Sequence, residues 1–202
     1  MKLLVTGFDA FGGETINPAQ LVVEALPDQV EDHLIHKLII PTTRYESFKR
    51  IKEFIDHENP DVVLSIGQAG GNSDIAIERI GINCDDYRMP DNGGNQPIDE
   101  KIVERGRDAY FATIPVRKIV ENIRNEMIPA RISNSAGTFV CNHVLYSIRQ
   151  YIEENHLPIK SGFIHIPFIP NQVINKPNTA SMDLETIHKA ILIAIKTIIE
   201  SQ

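Results

Sequence analysis

The sequence predicts a layered α/β fold in one domain, and three observations carry that expectation. Short β-rich runs alternate with stretches of helical periodicity, the pattern of a sheet covered by helices. The 202 residues suit one such domain with a sizeable core better than two. No internal repeat, low-complexity tract or linker interrupts the chain, so the expected domain is 1–202.

Lys2 to Phe8 reads as the first strand, followed by a Gly-rich turn and a helix that Asn17-Pro18 opens, Asn as cap and Pro at the first helical position. Leu34 to Ile40 is a second strand ended by Pro41. Thr43 to His57 carries Phe48, Ile51, Phe54 and Ile55 at helical spacing, and Asp61 to Ile66 is a buried strand. Asp74 to Asn83 reads as one further strand, running into a turn-rich polar loop, 84–96. Ala109 to Thr113 is a short strand, Pro115 to Met127 a helix, and Arg131 to Ser135 another strand. Residues 141–156 place Val144, Leu145, Ile148 and Ile152 on one stripe, a helix beginning at or beside Cys141. Gly162 to Phe168 is a strand holding His165, Pro167 through Pro177 a surface loop, and 183–200 a terminal helix.

Composition narrows the function. A hydrophobic fraction of 42% with 23% charged residues is that of a soluble globular protein. A net charge of -7 argues against a surface that tracks nucleic-acid phosphates. The N-terminus enters a strand directly, without the basic, apolar and small-residue regions of a signal peptide, so the expected location is the cytosol. The two cysteines, Cys84 and Cys141, match no metal-binding spacing, and a disulfide between them is not expected in a reducing compartment.

Three positions invite chemistry. Cys141 follows a Gly-containing turn at a helix start, where amide donors and the helix dipole stabilise a thiolate and can hold an oxyanion. Read alone, a cysteine there is more often a packing residue. Of the seven histidines, His33, His36, His57, His156 and His188 fall on polar faces or element ends, and His143 lies two residues from Cys141, the wrong spacing to serve it. His165 sits in the apolar run Phe163-Ile164-His165-Ile166-Pro167-Phe168, where an imidazole needs a partner. Glu78 stands among apolar neighbours in Ile75-Ala76-Ile77-Glu78-Arg79-Ile80, and adjacent Arg79 points to the opposite face. A structural ion pair or the orientation of an imidazole would satisfy it equally. The turn Thr6–Gly13 lacks GxGxxG and the P-loop lysine, and its Phe8 and Phe11 suggest an apolar pocket wall instead. Gln68, in Ser65-Ile66-Gly67-Gln68-Ala69-Gly70-Gly71, can present an amide at a strand end.

These segments together closely resemble the pyroglutamyl peptidase I, or pyrrolidone-carboxylate peptidase, family over essentially the whole chain. The resemblance runs through Thr6–Gly13 with Asn17-Pro18, Gly67–Gly71, Glu78-Arg79-Ile80-Gly81-Ile82-Asn83, Arg88-Met89-Pro90-Asp91-Asn92, Ser135-Ala136-Gly137-Thr138-Phe139-Val140-Cys141-Asn142 and Phe163–Pro167. It implies a three-layer α/β/α sandwich with a twisted, mostly parallel sheet, no metal or cofactor, and a homotetramer. It implies Cys141 as nucleophile, His165 as base and Glu78 as the group orienting it. For the lactam ring it implies Phe8 and Phe11, with Phe139, Val140 and Met89 nearby, Gln68 as a polar contact and Arg88 near the oxyanion. The expected reaction is hydrolysis of the amide bond after an N-terminal pyroglutamyl residue through a thioester. Cys84 is a departure from the family pattern and offers a second thiol. Two other readings stand beside this one: a nucleoside phosphorylase, for which no basic phosphate site can be assembled, and a redox or ligand-sensing module using Cys84 and Cys141.

Overall fold

The computed structural model describes residues 1–201. Among them seven strands form one sheet: β1 (Lys2–Phe8), β2 (Gln29–Val30), β3 (His33–Ile40), β4 (Val62–Gln68), β5 (Ile75–Glu78), β8 (Ala130–Ser133) and β9 (Lys160–Ile166). Their order is β2-β3-β1-β4-β9-β5-β8. The pairs β3–β1, β1–β4, β4–β9 and β5–β8 are parallel, while β2 on β3 and β5 on β9 are antiparallel. The mostly parallel sheet expected from the sequence is present, with β5 and β8 together running opposite to β9.

Both faces of the sheet are covered, so its central strands are buried along almost their whole length rather than alternating between buried and exposed. On β1, Leu3 and Val5 enter one core, shared with α1 (Pro18–Ala25), α3 (Val116–Asn125) and α6 (Leu184–Ile199). Leu4 and Phe8 enter the other, beneath α2 (Glu46–Glu58) and α4 (Val140–Glu154). Asn17 caps α1 as expected, its side chain accepting from the Ala19 amide at 2.9 Å. Asp183 does the same for α6.

The structure departs from the sequence reading in three places. The single strand expected over Asp74–Asn83 is broken at Arg79. Its first half, β5, stays in the main sheet; its second, β6 (Ile80–Ile82), leaves to pair antiparallel with β7 (Ala109–Phe111). The cause is a better partner: the Asn142 side chain of α4 accepts from the Ile82 amide and donates to the Ile82 and Cys84 carbonyls, each at 2.9 Å. Pro115 caps α3 rather than occupying its first turn, because α3 begins at Val116. The stretch Pro167 to Pro177, expected as a surface loop, contains the short helix α5 (Pro170–Val173), which carries the buried Gln172.

Candidate active site

The strand register determines which side chains share a face. His165 on β9 lies between Gly67 of β4 and Ala76 of β5. Glu78, two residues beyond Ala76, therefore points to the same side as Ala76 and sits diagonally across from His165. His165 Nδ1 donates to Glu78 Oε1 at 2.8 Å, in a pair 87 residues apart in sequence. The carboxylate only accepts, so the proton is on Nδ1.

Cys141 is the second residue of α4, which begins where both the periodicity and the Gly-containing turn placed it. Gly137, at φ +75°, makes the turn in a conformation that suits glycine. The N-cap Phe139 is extended and its side chain makes no capping bond, so the first amides of α4 lack the usual side-chain acceptor. The Cys141 sulfur descends onto Gly67: a Cβ there would lie 3.0 Å from Sγ and 2.7 Å from the Phe163 ring. Only a glycine lets helix and strand approach this closely.

The thiol is a further hydrogen-bonding partner of His165. Burial opposes a charged imidazole, but the charge and hydrogen bond of Cys141, followed by those of Glu78, outweigh it and raise His165 to about 10. Geometry and electrostatics thus favour a protonated imidazole beside the Cys141 sulfur.

These groups open into a cleft of about 800 Å³ lined also by Phe11, Gln68, Arg88, Met89 and Phe139. Phe11 and Phe139 stack with ring centroids 5.8 Å apart, and Tyr87 backs Phe139 at 4.7 Å. Phe8 and Val140 do not line it. Both are buried in the core beneath, Phe8 against Phe163 at 6.1 Å, so the phenylalanines that line the cleft are Phe11, Phe139 and Phe168. Gln68 ends β4, and its Oε1 accepts from Gln172 Nε2 at 2.8 Å.

Arg88 projects from the 84–96 loop, whose hydrogen bonds tie it to its surroundings. The Asp86 amide donates to the Thr138 carbonyl at 3.1 Å and the Thr138 hydroxyl to the Asp86 carbonyl at 2.8 Å, joining the loop to the turn before Cys141. Asp91 Oδ2 accepts from the Arg44 amide, and Asn92 reaches the Ala10 carbonyl. Beneath lies a buried charge cluster that the sequence reading missed: Asp85 Oδ2 takes Arg44 Nε at 2.7 Å and His143 Nδ1 at 2.8 Å. His143, set aside as a partner for Cys141, is engaged here. No single-residue signal marks Arg44 or Gln172, because their partners are 41 and 104 positions away.

A sequence profile described as pyroglutamyl peptidase matches residues 1–201. The chain belongs to the pyroglutamyl peptidase family. It is 57% identical over 201 residues to pyrrolidone-carboxylate peptidase 2 of Caldanaerobacter subterraneus subsp. tengcongensis, an alignment covering 100% of this chain and 98% of that one. It is 54% identical to the pyrrolidone-carboxylate peptidase of Finegoldia magna, covering 100% and 94%. Among solved structures, the pyroglutamyl peptidase I of Bacillus amyloliquefaciens superposes with a TM-score of 0.94 at 44% identity, covering 98% of this chain and 94% of that one. The pyrrolidone carboxyl peptidase of Thermococcus litoralis gives 0.95 at 39%, covering 98% and 93%. The α/β/α sandwich expected from the resemblance is thus the fold of this pyroglutamyl peptidase family member.

Proposed function

We propose that this chain is a cysteine peptidase that removes an N-terminal pyroglutamyl residue from peptides, with Cys141, His165 and Glu78 as its catalytic groups. The observation that carries this reading is the alignment of a helix-start thiol, an imidazole and a carboxylate at the floor of one aromatic-walled cleft.

The Cys141 thiolate attacks the pyroglutamyl carbonyl carbon, and the carbonyl electron pair moves onto oxygen. The first amides of α4 and the Arg88 guanidinium face that developing charge. Imidazolium His165 gives its proton to the departing amine as the C–N bond breaks, leaving a thioester. A water molecule then loses a proton to the neutral imidazole and attacks the thioester, releasing pyroglutamate and restoring the thiolate–imidazolium pair. Glu78 stays ionised and keeps the Nδ1–H in place throughout.

The lactam is flat, uncharged and mostly apolar, which suits the aromatic wall built by Phe11 and Phe139 with Gln68 as polar contact. An open-chain glutamate would bring a charge against that apolar wall. The whole chain, 1–202, acts as one catalytic unit in this reading, with no metal or cofactor required. The free thiols Cys84 and Cys141 support a cytosolic setting. Exposed Ile98, Phe111 and Ile174 support self-association, for which a homotetramer is proposed and sedimentation is the check.

The test is release of a fluorescent amine from a pyroglutamyl-amide by the purified protein under reducing conditions. Turnover that disappears in Cys141→Ser supports the reading, and a folded wild-type protein without turnover overturns it.

A further inference from the structure

Gln172 is a buried polar side chain that the catalytic scheme does not use. It sits on α5, and its two ends are fixed by groups whose roles are not interchangeable. The Ile169 amide can only donate, and it donates to Gln172 Oε1 at 3.1 Å. The Ile16 carbonyl can only accept, and Gln172 Nε2 faces it at 3.4 Å. The orientation of the Gln172 amide is therefore decided by backbone, not by choice between two equivalent placements.

That decision propagates. The same Nε2 donates to Gln68 Oε1 at 2.8 Å, which holds that oxygen toward Gln172. Gln68 lines the cleft. With its oxygen held on the Gln172 side, the planar Gln68 amide carries its NH₂ group, a pair of donors, on the opposite side.

We propose that Gln172 is a positioning residue for ring recognition: it locks the Gln68 amide so that the cleft presents an N–H donor, selecting ligands with a carbonyl acceptor on the ring. This rests on the pyroglutamyl reading above and adds to it a polarity and a residue that sets it. A free Gln68 could rotate its amide and offer donor or acceptor equally, which would weaken discrimination between rings. The lock removes that ambiguity before the ligand arrives, so no reorganisation accompanies binding.

The test compares two amide substrates with the same fluorescent leaving group, one pyroglutamyl and one cyclopentanecarbonyl, which keeps the ring but lacks its carbonyl and N–H. Wild type, Gln172→Met and Gln172→Glu are assayed at pH 8, with folding checked by circular dichroism. Methionine removes all three bonds and frees Gln68. KM for the pyroglutamyl substrate should rise roughly five- to thirty-fold, as for one lost hydrogen bond, with kcat changed far less and the cyclopentanecarbonyl substrate little affected. Glutamate is closer in shape to glutamine, yet its carboxylate only accepts, so Gln68 must turn its NH₂ toward it and show its oxygen to the ring carbonyl. Gln172→Glu should therefore be worse than Gln172→Met.

A merely structural role for Gln172 impairs both substrates in parallel in either variant, because a buried carboxylate facing the Ile16 carbonyl is costly on packing grounds alone, and that outcome overturns the proposal. So do ratios of kcat/KM between the two substrates that stay within twofold of wild type in the variants that fold. Should Gln172→Glu not fold, the methionine variant alone decides by the same ratio. Absence of pyroglutamyl turnover in the wild type would instead sink the functional reading itself, so the two failures are told apart.

Discussion

Glu78 and His165 are joined by a 2.8 Å hydrogen bond because β5 runs antiparallel to β9, which sets the end of one strand diagonally across from the other. Had β5 been parallel like β4, the same residues would meet in a different register. The carboxylate that reads in sequence as an anomaly within an apolar strand is thus the group that orients the imidazole.

Replacing that carboxylate by an amide keeps the shape and removes the charge. Glu78→Gln is expected to lower kcat by on the order of 10³- to 10⁴-fold, by analogy with losing the acidic member of a triad. KM should change little. Steady-state kinetics on a pyroglutamyl-amide provides the check.

The pH response follows from the raised His165. Its value moves from 6.5 to about 10 on folding, so its protonated form stabilises the native state fully below about pH 6.5. That contribution declines above this and is gone beyond about pH 10. Denaturant unfolding from pH 6 to pH 10 should therefore show a wild-type stability falling more steeply than that of Glu78→Gln. The alkaline limb of kcat/KM should also shift to lower pH in that variant; coincident limbs would contradict the assignment.

The two thiols are expected to separate cleanly. Burial, then the nearby Asp99, Asp86 and Asp85, push the Cys84 thiol up, which disfavours its thiolate. Iodoacetamide at neutral pH should label Cys141 first, with loss of activity tracking that label by mass spectrometry. Cys84→Ser should retain wild-type turnover.

Gly67 sits where strand, helix and Phe163 converge. Gly67→Ala would place a methyl 2.7 Å from the Phe163 ring and 3.0 Å from the Cys141 sulfur. We expect about 1–3 kcal/mol of destabilisation and roughly 10²-fold lower kcat as the nucleophile is displaced. Thermal unfolding and kinetics on one preparation measure both.

Asp85→Asn should unfold more easily without altering chemistry directly. It leaves Arg44 short of one buried partner, although Glu100 still lies 2.8 Å from the guanidinium. The cost is expected near about 3 kcal/mol, the lower end for breaking a buried ion pair. Chemical denaturation tests it, and an unchanged midpoint would show the cluster to be dispensable.

The sequence by itself determined the local features: the alternation of strands and helices, the Asn17 cap, a helix beginning beside Cys141, and the three residues whose chemistry stood out from their surroundings. Each depends on neighbours a few positions away, through side-chain periodicity, backbone capping or the cost of a polar group in an apolar run. The tertiary structure alone decided that Asp74–Asn83 breaks at Arg79, that β5 lies between β9 and β8 and runs antiparallel to β9, that Phe8 and Val140 sink into the core while Phe11 and Phe139 line the cleft, and that Gln172 grips Gln68. Those outcomes depend on which distant strand offers the better hydrogen-bonding edge and which side chain fills the space beneath it. A pairing across 87 or 104 residues leaves no trace in local spacing, because the sheet order that creates it is a property of the packed whole.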